Sequence, residues 1–175
     1  MFATPSTPAE LTRIDVDKPS FTLQDLGGSS VSLRDFAGRT VLVHFFATWC
    51  EPCHEELPAL TRLRQRAYGV AVLAISVAEN GQRVSRFFAP TPPLYPVLLD
   101  ADRAVAKSWD ITTLPTTYVL DARLRPQWLV EADYPWDTVA SHPTGNSQSI
   151  LPARSTQLPN DHHRNKGNEH ELQSA

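Results

Sequence analysis

The fold is decided by residues 41–57, which read VLVHFFATWCEPCHEEL. Up to Phe46 the stretch is a near-continuous run of branched and aromatic residues, which is typical of a strand buried on both faces. From Glu51 onward the pattern changes, and leucines recur every three residues, as on one face of a helix. Cys50 and Cys53, the two cysteines of the chain, therefore lie where a buried strand passes into a helix.

A C-x-x-C motif at the start of a helix has a chemical consequence. Cys50 falls among free N–H groups at the positive end of the helix dipole, which favours its thiolate form. Cys53 lies one turn further in and is more covered, so one thiol can attack a disulfide and the other can resolve the mixed disulfide. Pro52 fits the first helical turn, where its missing N–H costs little. Glu51 should oppose the dipole slightly, which disfavours a strongly oxidising couple.

The pattern outside this stretch predicts an α/β fold, with a central mixed sheet and helices on both faces. The expected elements are a hairpin at 21–33, a strand at 70–77, a helix at 82–88, a strand at 97–99, a helix at 104–109 and strands at 116–120 and 127–130. The last two strands are too close for a crossover helix, so we expect them to form an antiparallel hairpin.

Several motifs, in order and spacing, resemble the thioredoxin superfamily. The resemblance is closest to the TlpA/ResA-like thiol–disulfide oxidoreductases, near the AhpC/TSA-redoxin group. The motifs that carry it are FTL at 21–23, VSLRDFAGR at 31–39, VLVHFFATWCEPC at 41–53, ELP at 56–58 and LPTT at 114–117. The resemblance covers about residues 20–131. It implies a thioredoxin-like fold, with the hairpin at 21–33 as an N-terminal addition and residues 81–93 as a central insertion.

The resemblance also implies a role for each part of the site. Cys50 would be the nucleophile and Cys53 the resolving cysteine. Pro115 would be a cis proline facing the disulfide, and the backbone of Leu114 would pair with an extended substrate segment. Glu56 matches an acid that ResA-like members carry near the active site. The supporting residues that we expect are Trp49, Glu51, Pro52, Glu56 and His44.

The activity implied by the resemblance is reduction or exchange of disulfides in protein substrates. No organic cofactor and no metal are expected, because electrons would come from a partner thiol protein. The resemblance points to a periplasmic or other extracytoplasmic setting and to cytochrome c maturation. We expect a monomer.

Three residues have two readings on the sequence alone. His44 is either a core histidine, hydrogen-bonded to backbone, or the group that accepts or relays the Cys53 proton; most relatives carry Asp or Asn there. Glu56 is either a solvated first-turn acid or a buried acid coupled to cysteine titration. Pro115 without the resemblance would be read as a trans proline at strand entry.

Other classes of function remain as alternatives. A peroxiredoxin-like thiol peroxidase would have a lone peroxidatic cysteine after Thr or Ser, whereas Cys50 belongs to W-C-x-x-C. The run from Cys50 to His54 also matches the C-x-x-C-H motif of haem c attachment. A second axial ligand would then be needed, and the one methionine is Met1. Copper binding through Cys50, Cys53 and His54 is a further alternative, although copper chaperones of related fold use C-x-x-x-C.

Composition limits the remaining possibilities. The 175 residues are 41% apolar and 20% charged, which suits one globular domain with tails. A formal net charge of −3 gives no electrostatic footprint for nucleic acid. No apolar run approaches the roughly 18 residues of a membrane span. With two cysteines, the chain is neither a disulfide-dense mini-protein nor a four-cysteine zinc protein.

We expect a thioredoxin-like domain over residues 20–138. Residues 1–19 contain three prolines and lack the basic start and apolar run of a secretory signal, so we expect a flexible segment there. The protein would be cytoplasmic, or a signal or anchor would have been removed. Residues 139–175 are polar and carry no aromatic residue, which predicts a disordered tail. The family's usual C-terminal helix is therefore expected to be missing or replaced.

Overall fold

The computed structural model describes residues 10–144 and 147–151. The strands are β1 (Thr12–Arg13), β2 (Thr22–Asp25), β3 (Ser30–Ser32), β4 (Thr40–Phe46), β5 (Val70–Val77), β6 (Val97–Asp100), β7 (Thr116–Leu120), β8 (Pro126–Val130), β9 (Ala140–Thr144) and β10 (Ser147–Leu151). The helices are α1 (Glu51–Arg66), α2 (Gly81–Phe88) and α3 (Ala104–Ser108), with 3₁₀ turns at Leu33–Phe36 and Trp136–Thr138.

Eight strands form one mixed sheet in the order β1-β8-β7-β4-β5-β6-β2-β3. The central strand, β4, runs parallel to β5 and antiparallel to β7, so both of its edges are hydrogen-bonded. The expected hairpins, β2–β3 and β7–β8, are both confirmed. The mixed α/β sheet predicted from the sequence is therefore the observed architecture.

The residues of β4 alternate between two apolar layers, which explains its continuous hydrophobic run. Leu42 and Phe46 pack on the side of α1 and α2. Val41, Val43 and Phe45 pack on the opposite side, where α3 lies. Every residue of β4 is buried, because helices cover the sheet on both faces as the sequence predicted.

Side chains fix where the shorter helices begin. Asn80 precedes α2, and its side-chain oxygen accepts the backbone N–H of Arg83 at 2.9 Å. The buried carboxylate of Asp100, at the end of β6, accepts the N–H groups of Val105 at 3.1 Å and Ala106 at 2.7 Å. The ends of β5 and β6 are thereby tied to the helices that surround the C-x-x-C motif.

The segment before β2 differs from the flexible one that the sequence predicted. Thr12 and Arg13 pair with β8, and the backbone N–H of Ile14 continues the ladder to the carbonyl of Gln127 at 3.0 Å. Lys18 forms an ion pair with Asp110 at 2.7 Å. Edge pairing uses backbone groups and leaves little trace in hydrophobic periodicity, so the sequence did not reveal it. Residues 1–9 of that predicted segment lie outside the described residues.

The segment after β8 also differs in part from the expectation. A 3₁₀ turn at Trp136–Thr138 follows the sheet, with Trp136 completely buried. Strands β9 and β10 then form an antiparallel hairpin where a disordered tail was predicted. The composition argument counted apolar burial alone, whereas a hairpin satisfies its backbone locally. The rest of the predicted tail, 152–175, lies outside the described residues, and the boundaries at 20 and 138 stay a prediction.

Among the described residues, no helix has the length and apolar character that crossing a membrane requires.

Candidate active site

Cys50 and Cys53 are joined by a disulfide at the start of α1, with their Cα atoms 5.4 Å apart. Cys50 is the residue that precedes the first helical turn, and its backbone is extended. Its side chain makes no capping hydrogen bond, and the backbone N–H of Cys53 donates to the carbonyl of Cys50 at 3.2 Å. Cys50 is 5% exposed and Cys53 is 0% exposed. Cys50 thus keeps a small exposed surface, whereas Cys53 has none.

The residues between the cysteines lie where the sequence placed them. Glu51 is exposed in the first turn of α1, near the positive end of the helix dipole. Pro52 also lies in that turn, where its missing N–H leaves no carbonyl unpaired.

The approach to the disulfide is bordered by Trp49, which is 64% exposed. Trp49 and Leu114 line a pocket of about 400 Å³ beside the motif. The Leu114–Pro115 peptide bond is cis, the geometry that the resemblance implied, and Pro115 is buried. Ala78 and Arg103 line the same pocket with positive φ angles of 60° and 63°. Such backbone angles in residues other than glycine are concentrated at functional sites.

The loop that leads into the motif is fixed by a buried carboxylate that the sequence analysis did not select. Glu79 is 5% exposed and accepts the backbone N–H of Thr48 at 2.7 Å and the Thr48 hydroxyl at 2.5 Å. It also accepts the Ser76 hydroxyl at 2.8 Å and pairs with Arg83 at 3.1 Å. The carboxylate is thus fully satisfied by hydrogen bonds, as a buried charge must be.

His54 fixes the same loop from the side of the helix. Its Nε2 lies 2.8 Å from the carbonyl oxygen of Thr48, so this nitrogen carries the proton and donates it. The imidazole ring also packs against Phe87 of α2, with 4.9 Å between the ring centroids. Thr48 is therefore held through its N–H, its hydroxyl and its carbonyl, two residues before Cys50.

A second buried polar cluster lies between β4 and α1. His44 Nδ1 is 2.9 Å from the hydroxyl oxygen of Thr117 on the neighbouring strand β7. The Thr117 hydroxyl donates to Glu56 Oε1 at 3.4 Å, and the indole N–H of Trp136 donates to the same oxygen. Because the Thr117 proton is directed to Glu56, the Thr117 oxygen accepts from His44 Nδ1–H. His44 and Glu56 are 0% and 1% exposed.

Burial keeps both titratable groups of this cluster neutral. Desolvation raises the pKa of Glu56 to about 8, against a hydrogen bond from Trp136 that lowers it. Desolvation lowers the pKa of His44 to about 3. Within the described residues, His44 Nε2 and Glu56 Oε2 have no hydrogen-bond partner. The interpretation of Glu56 as a solvated acid is therefore wrong, and His44 bonds a side chain rather than the backbone.

Sequence reasoning missed Glu79, Thr117 and Trp136. Glu79 follows β5 in a short polar stretch that has no periodicity, so nothing marked it as buried. Thr117 was identified as part of a strand and of the LPTT motif, and no role in the site was assigned to it. Trp136 is 80 residues from its acceptor, and its one signal was an isolated tryptophan in a segment without helical pattern.

Solved structures share this arrangement of sheet and helices. The thioredoxin domain of a thiol-disulfide oxidoreductase from Bacteroides vulgatus has a TM-score of 0.64 and 24% identity, covering 74% of this chain and 96% of that one. A secreted thiol-disulfide isomerase from Corynebacterium glutamicum has a TM-score of 0.66 and 23% identity, covering 77% and 89%. The protein has a thioredoxin-like fold that carries its C-x-x-C disulfide at the start of a helix.

The family follows from the sequence match. The Redoxin family profile matches residues 16–124, more than half of the chain, and the protein belongs to this family. Curated relatives include thiol-disulfide oxidoreductase ResA from Bacillus subtilis, 36% identical over 107 residues. Another is the thioredoxin-like protein YneN from the same organism, 38% identical over 109 residues. The matches span 60% of this chain in both cases, and 60% and 64% of the two relatives.

Proposed function

We propose that this protein is a thiol–disulfide oxidoreductase that reduces disulfides in protein substrates through the Cys50–Cys53 couple. The observation that supports this most directly is the asymmetry of the disulfide. Cys50 lies at the N-terminus of α1 beside an exposed Trp49, whereas Cys53 is completely buried. Thiol–disulfide exchange requires such a pair, with one sulfur for the partner and one for resolution. The similar proteins include a thiol-disulfide oxidoreductase and a thiol-disulfide isomerase, which agrees with this activity.

The reaction transfers two electrons in two displacements. In the reduced protein, the Cys50 thiolate attacks one sulfur of the substrate disulfide, which forms a mixed disulfide and releases one substrate thiolate. Cys53 then loses its proton, and its thiolate attacks the Cys50 sulfur. The mixed disulfide breaks, the second substrate thiolate leaves, and Cys50–Cys53 is oxidised. A donor protein with two thiols reverses these steps on the oxidised pair, so no organic cofactor takes part.

The buried cluster exchanges the proton of Cys53: it accepts this proton when Cys53 attacks and returns it when a donor opens the disulfide. Glu56 follows Cys53 by three residues on α1, and both side chains are buried. When a donor thiolate opens the disulfide, Cys53 leaves as a thiolate, and the neutral Glu56 carboxyl gives it a proton. In the reverse direction the Glu56 carboxylate takes that proton back. His44, joined to Glu56 through Thr117, holds this arrangement in its neutral form.

The substrate would bind along the pocket between Trp49 and Leu114. Because a cis proline has no N–H, the backbone of Leu114 is left to pair with an extended substrate segment, in the manner of strand addition. The resemblance supports an extracytoplasmic, periplasmic setting and apocytochrome c cysteines as substrates, and the similar isomerase from Corynebacterium glutamicum is a secreted protein. We further propose that the protein acts as a monomer.

The direct test traps the mixed disulfide. In Cys53→Ser, the second displacement is blocked, so reduced protein incubated with insulin should accumulate a covalent adduct on Cys50 that mass spectrometry detects. In Cys50→Ser, no adduct should form, because Cys53 is buried. Neither variant should reduce insulin catalytically. Equal adduct yields from the two variants would contradict the assignment of Cys50 as the nucleophile. Absence of adduct in both, with haem or copper bound instead, would favour the alternative functions.

A further inference from the structure

Trp136, which lies outside the C-x-x-C motif, contacts the buried acid Glu56. Trp136 is 0% exposed, although it belongs to a 3₁₀ turn in the segment that follows the last strand of the main sheet. Its indole N–H donates to Glu56 Oε1. Tyr134 packs on its ring, with 4.8 Å between the centroids. The turn therefore brings a buried donor to the carboxyl of Glu56.

The hydrogen bonds distinguish the two oxygens of that carboxyl. Oε1 accepts from Trp136 and from the Thr117 hydroxyl, so both donors lie on one oxygen. Oε2 has no partner among the described residues. When Glu56 is neutral, the oxygen that accepts both hydrogen bonds serves as the carbonyl oxygen, and the acid proton lies on the other oxygen. Trp136 and Thr117 thus direct the proton of Glu56 to Oε2.

Glu56 also lines a pocket on the side of α1 that faces the 3₁₀ turn. The pocket has a volume of about 220 Å³, which is room for several water molecules, and its lining includes Glu55, Asp133 and Tyr134. Arg62 and Asp137, which form an ion pair at 2.8 Å, complete its wall. A pocket of this size lined by carboxylates offers a route by which protons can pass between solvent and a buried acid.

We propose that Trp136 is a positioning residue, whose indole N–H holds Glu56 with Oε1 occupied and Oε2 free to give and take the proton of Cys53. This inference rests on the proposed role of Glu56 in the Cys50–Cys53 reaction. When the donor thiolate opens the disulfide, the S–S electron pair goes to Cys53 and the Oε2 proton follows it. Between the two half-reactions Glu56 gains a proton from solvent or loses one to it through the pocket beside Asp133.

The pH dependence of this step has identifiable contributors. The titratable and charged groups that face Glu56 are His44 on β4, Tyr95 before β6, Asp133, Tyr134 and Asp137 after β8, and Glu55 and Arg62 on α1. Cys53 precedes Glu56 by three residues on the same helix. Only Trp136 and Thr117 donate side-chain hydrogen bonds to Glu56 among the described residues. The indole N–H therefore has an effect on proton affinity that substitution of a neighbouring aromatic ring would not reproduce.

The test follows the indole N–H signals of oxidised, ¹⁵N-labelled full-length protein by NMR between pH 5 and 10. The chain has four tryptophans, so four signals are expected. The Trp136 signal should shift with a single midpoint near pH 8, and the shift should vanish in Glu56→Gln. Trp109 is the internal control, since its buried indole N–H donates to the carbonyl of Pro19 at 3.0 Å. Its signal should not follow that midpoint.

A matched pair of variants separates positioning from packing. Trp136→Phe keeps an aromatic ring and removes the donor, so the midpoint of the pH profile for disulfide reduction by dithiothreitol should rise by about one unit. Trp109→Phe should leave that midpoint unchanged. The inference would be overturned by equal shifts of the pH midpoint in both variants. It would also be overturned if the Trp136 signal had the same pH dependence in the wild type and in Glu56→Gln. Should Trp136→Phe not fold, the wild-type and Glu56→Gln titrations decide alone. Adduct formation at Cys50 with a pH-independent Trp136 signal would leave the proposed function intact and remove only this inference.

Discussion

Thr48 gives both its backbone N–H and its hydroxyl to one carboxylate, that of the buried Glu79. The distances are 2.7 and 2.5 Å, and the Thr48 carbonyl is bound at the same time by His54. This relationship ties the end of β5 to the loop that presents Cys50. The position of Cys50 is thus determined by residues on three elements, and only one of them carries the C-x-x-C motif.

Replacement of Glu79 should be costly. Glu79→Gln removes the charge and one acceptor from a site where four donors converge. We expect a loss of about 1–3 kcal/mol in the free energy of unfolding, measured by urea denaturation of the oxidised protein. Arg83→Gln is the matched control, because Arg83 is largely exposed and its loss should cost less than about 1 kcal/mol. Equal losses in the two variants would contradict the role assigned to Glu79.

The stability of the oxidised protein should fall on both sides of a plateau in pH. Glu56 has a pKa of about 8 in the folded protein and 4.5 as a free group. The stability that protonated Glu56 contributes is complete below pH 4.5 and is lost as pH rises toward 8. The pKa of His44 is about 3 against 6.5, so stability is lost as pH falls from 6.5 toward 3. Each group changes the free energy of unfolding by about 1.4 kcal/mol per pH unit, and the two changes cancel between pH 4.5 and 6.5.

Two single substitutions should each remove one side of this pH profile, either the acid limb below pH 4.5 or the alkaline limb above pH 6.5. In Glu56→Gln, the loss of stability above pH 6.5 should disappear while the acid limb remains. In His44→Asn, the acid limb should disappear and the alkaline one remain. Urea denaturation at pH 3.5, 5.5 and 8 measures both effects. An alkaline limb that persists in Glu56→Gln would show that Glu56 is not the group that titrates.

Trp49 should contribute to the reaction with substrate and little to the stability of the fold. Its side chain is 64% exposed, so Trp49→Ala should change the free energy of unfolding by less than about 0.5 kcal/mol. Loss of an aromatic contact beside the reacting sulfur should lower the rate of insulin reduction about tenfold. Tyr68→Ala provides the control, because Tyr68 is 82% exposed and follows the C-terminal end of α1, away from the disulfide. A rate unchanged in Trp49→Ala would remove Trp49 from the substrate surface.

The features that could be predicted are those that depend on local sequence patterns. The continuous apolar run predicted β4, and the spacing of the leucines predicted α1. The change between them placed Cys50 at a helix start. The cis Pro115 came from the resemblance, since nothing in the residues alone distinguishes cis from trans. What could not be predicted depends on contacts between distant residues. Glu79 reaches Thr48 across 31 positions and Trp136 reaches Glu56 across 80. No spacing rule marks such pairs.

The measurement that tests the central claim most directly is the equilibrium reduction potential of the Cys50–Cys53 couple. It is read from thiol alkylation and mass spectrometry in graded redox buffers. The account predicts a single two-electron couple at or below roughly −230 mV, in the range of thioredoxin and the glutaredoxins, as a disulfide reductase requires. A couple near roughly −120 mV would contradict the reducing direction. The absence of any two-electron couple would contradict the assignment as a thiol–disulfide oxidoreductase.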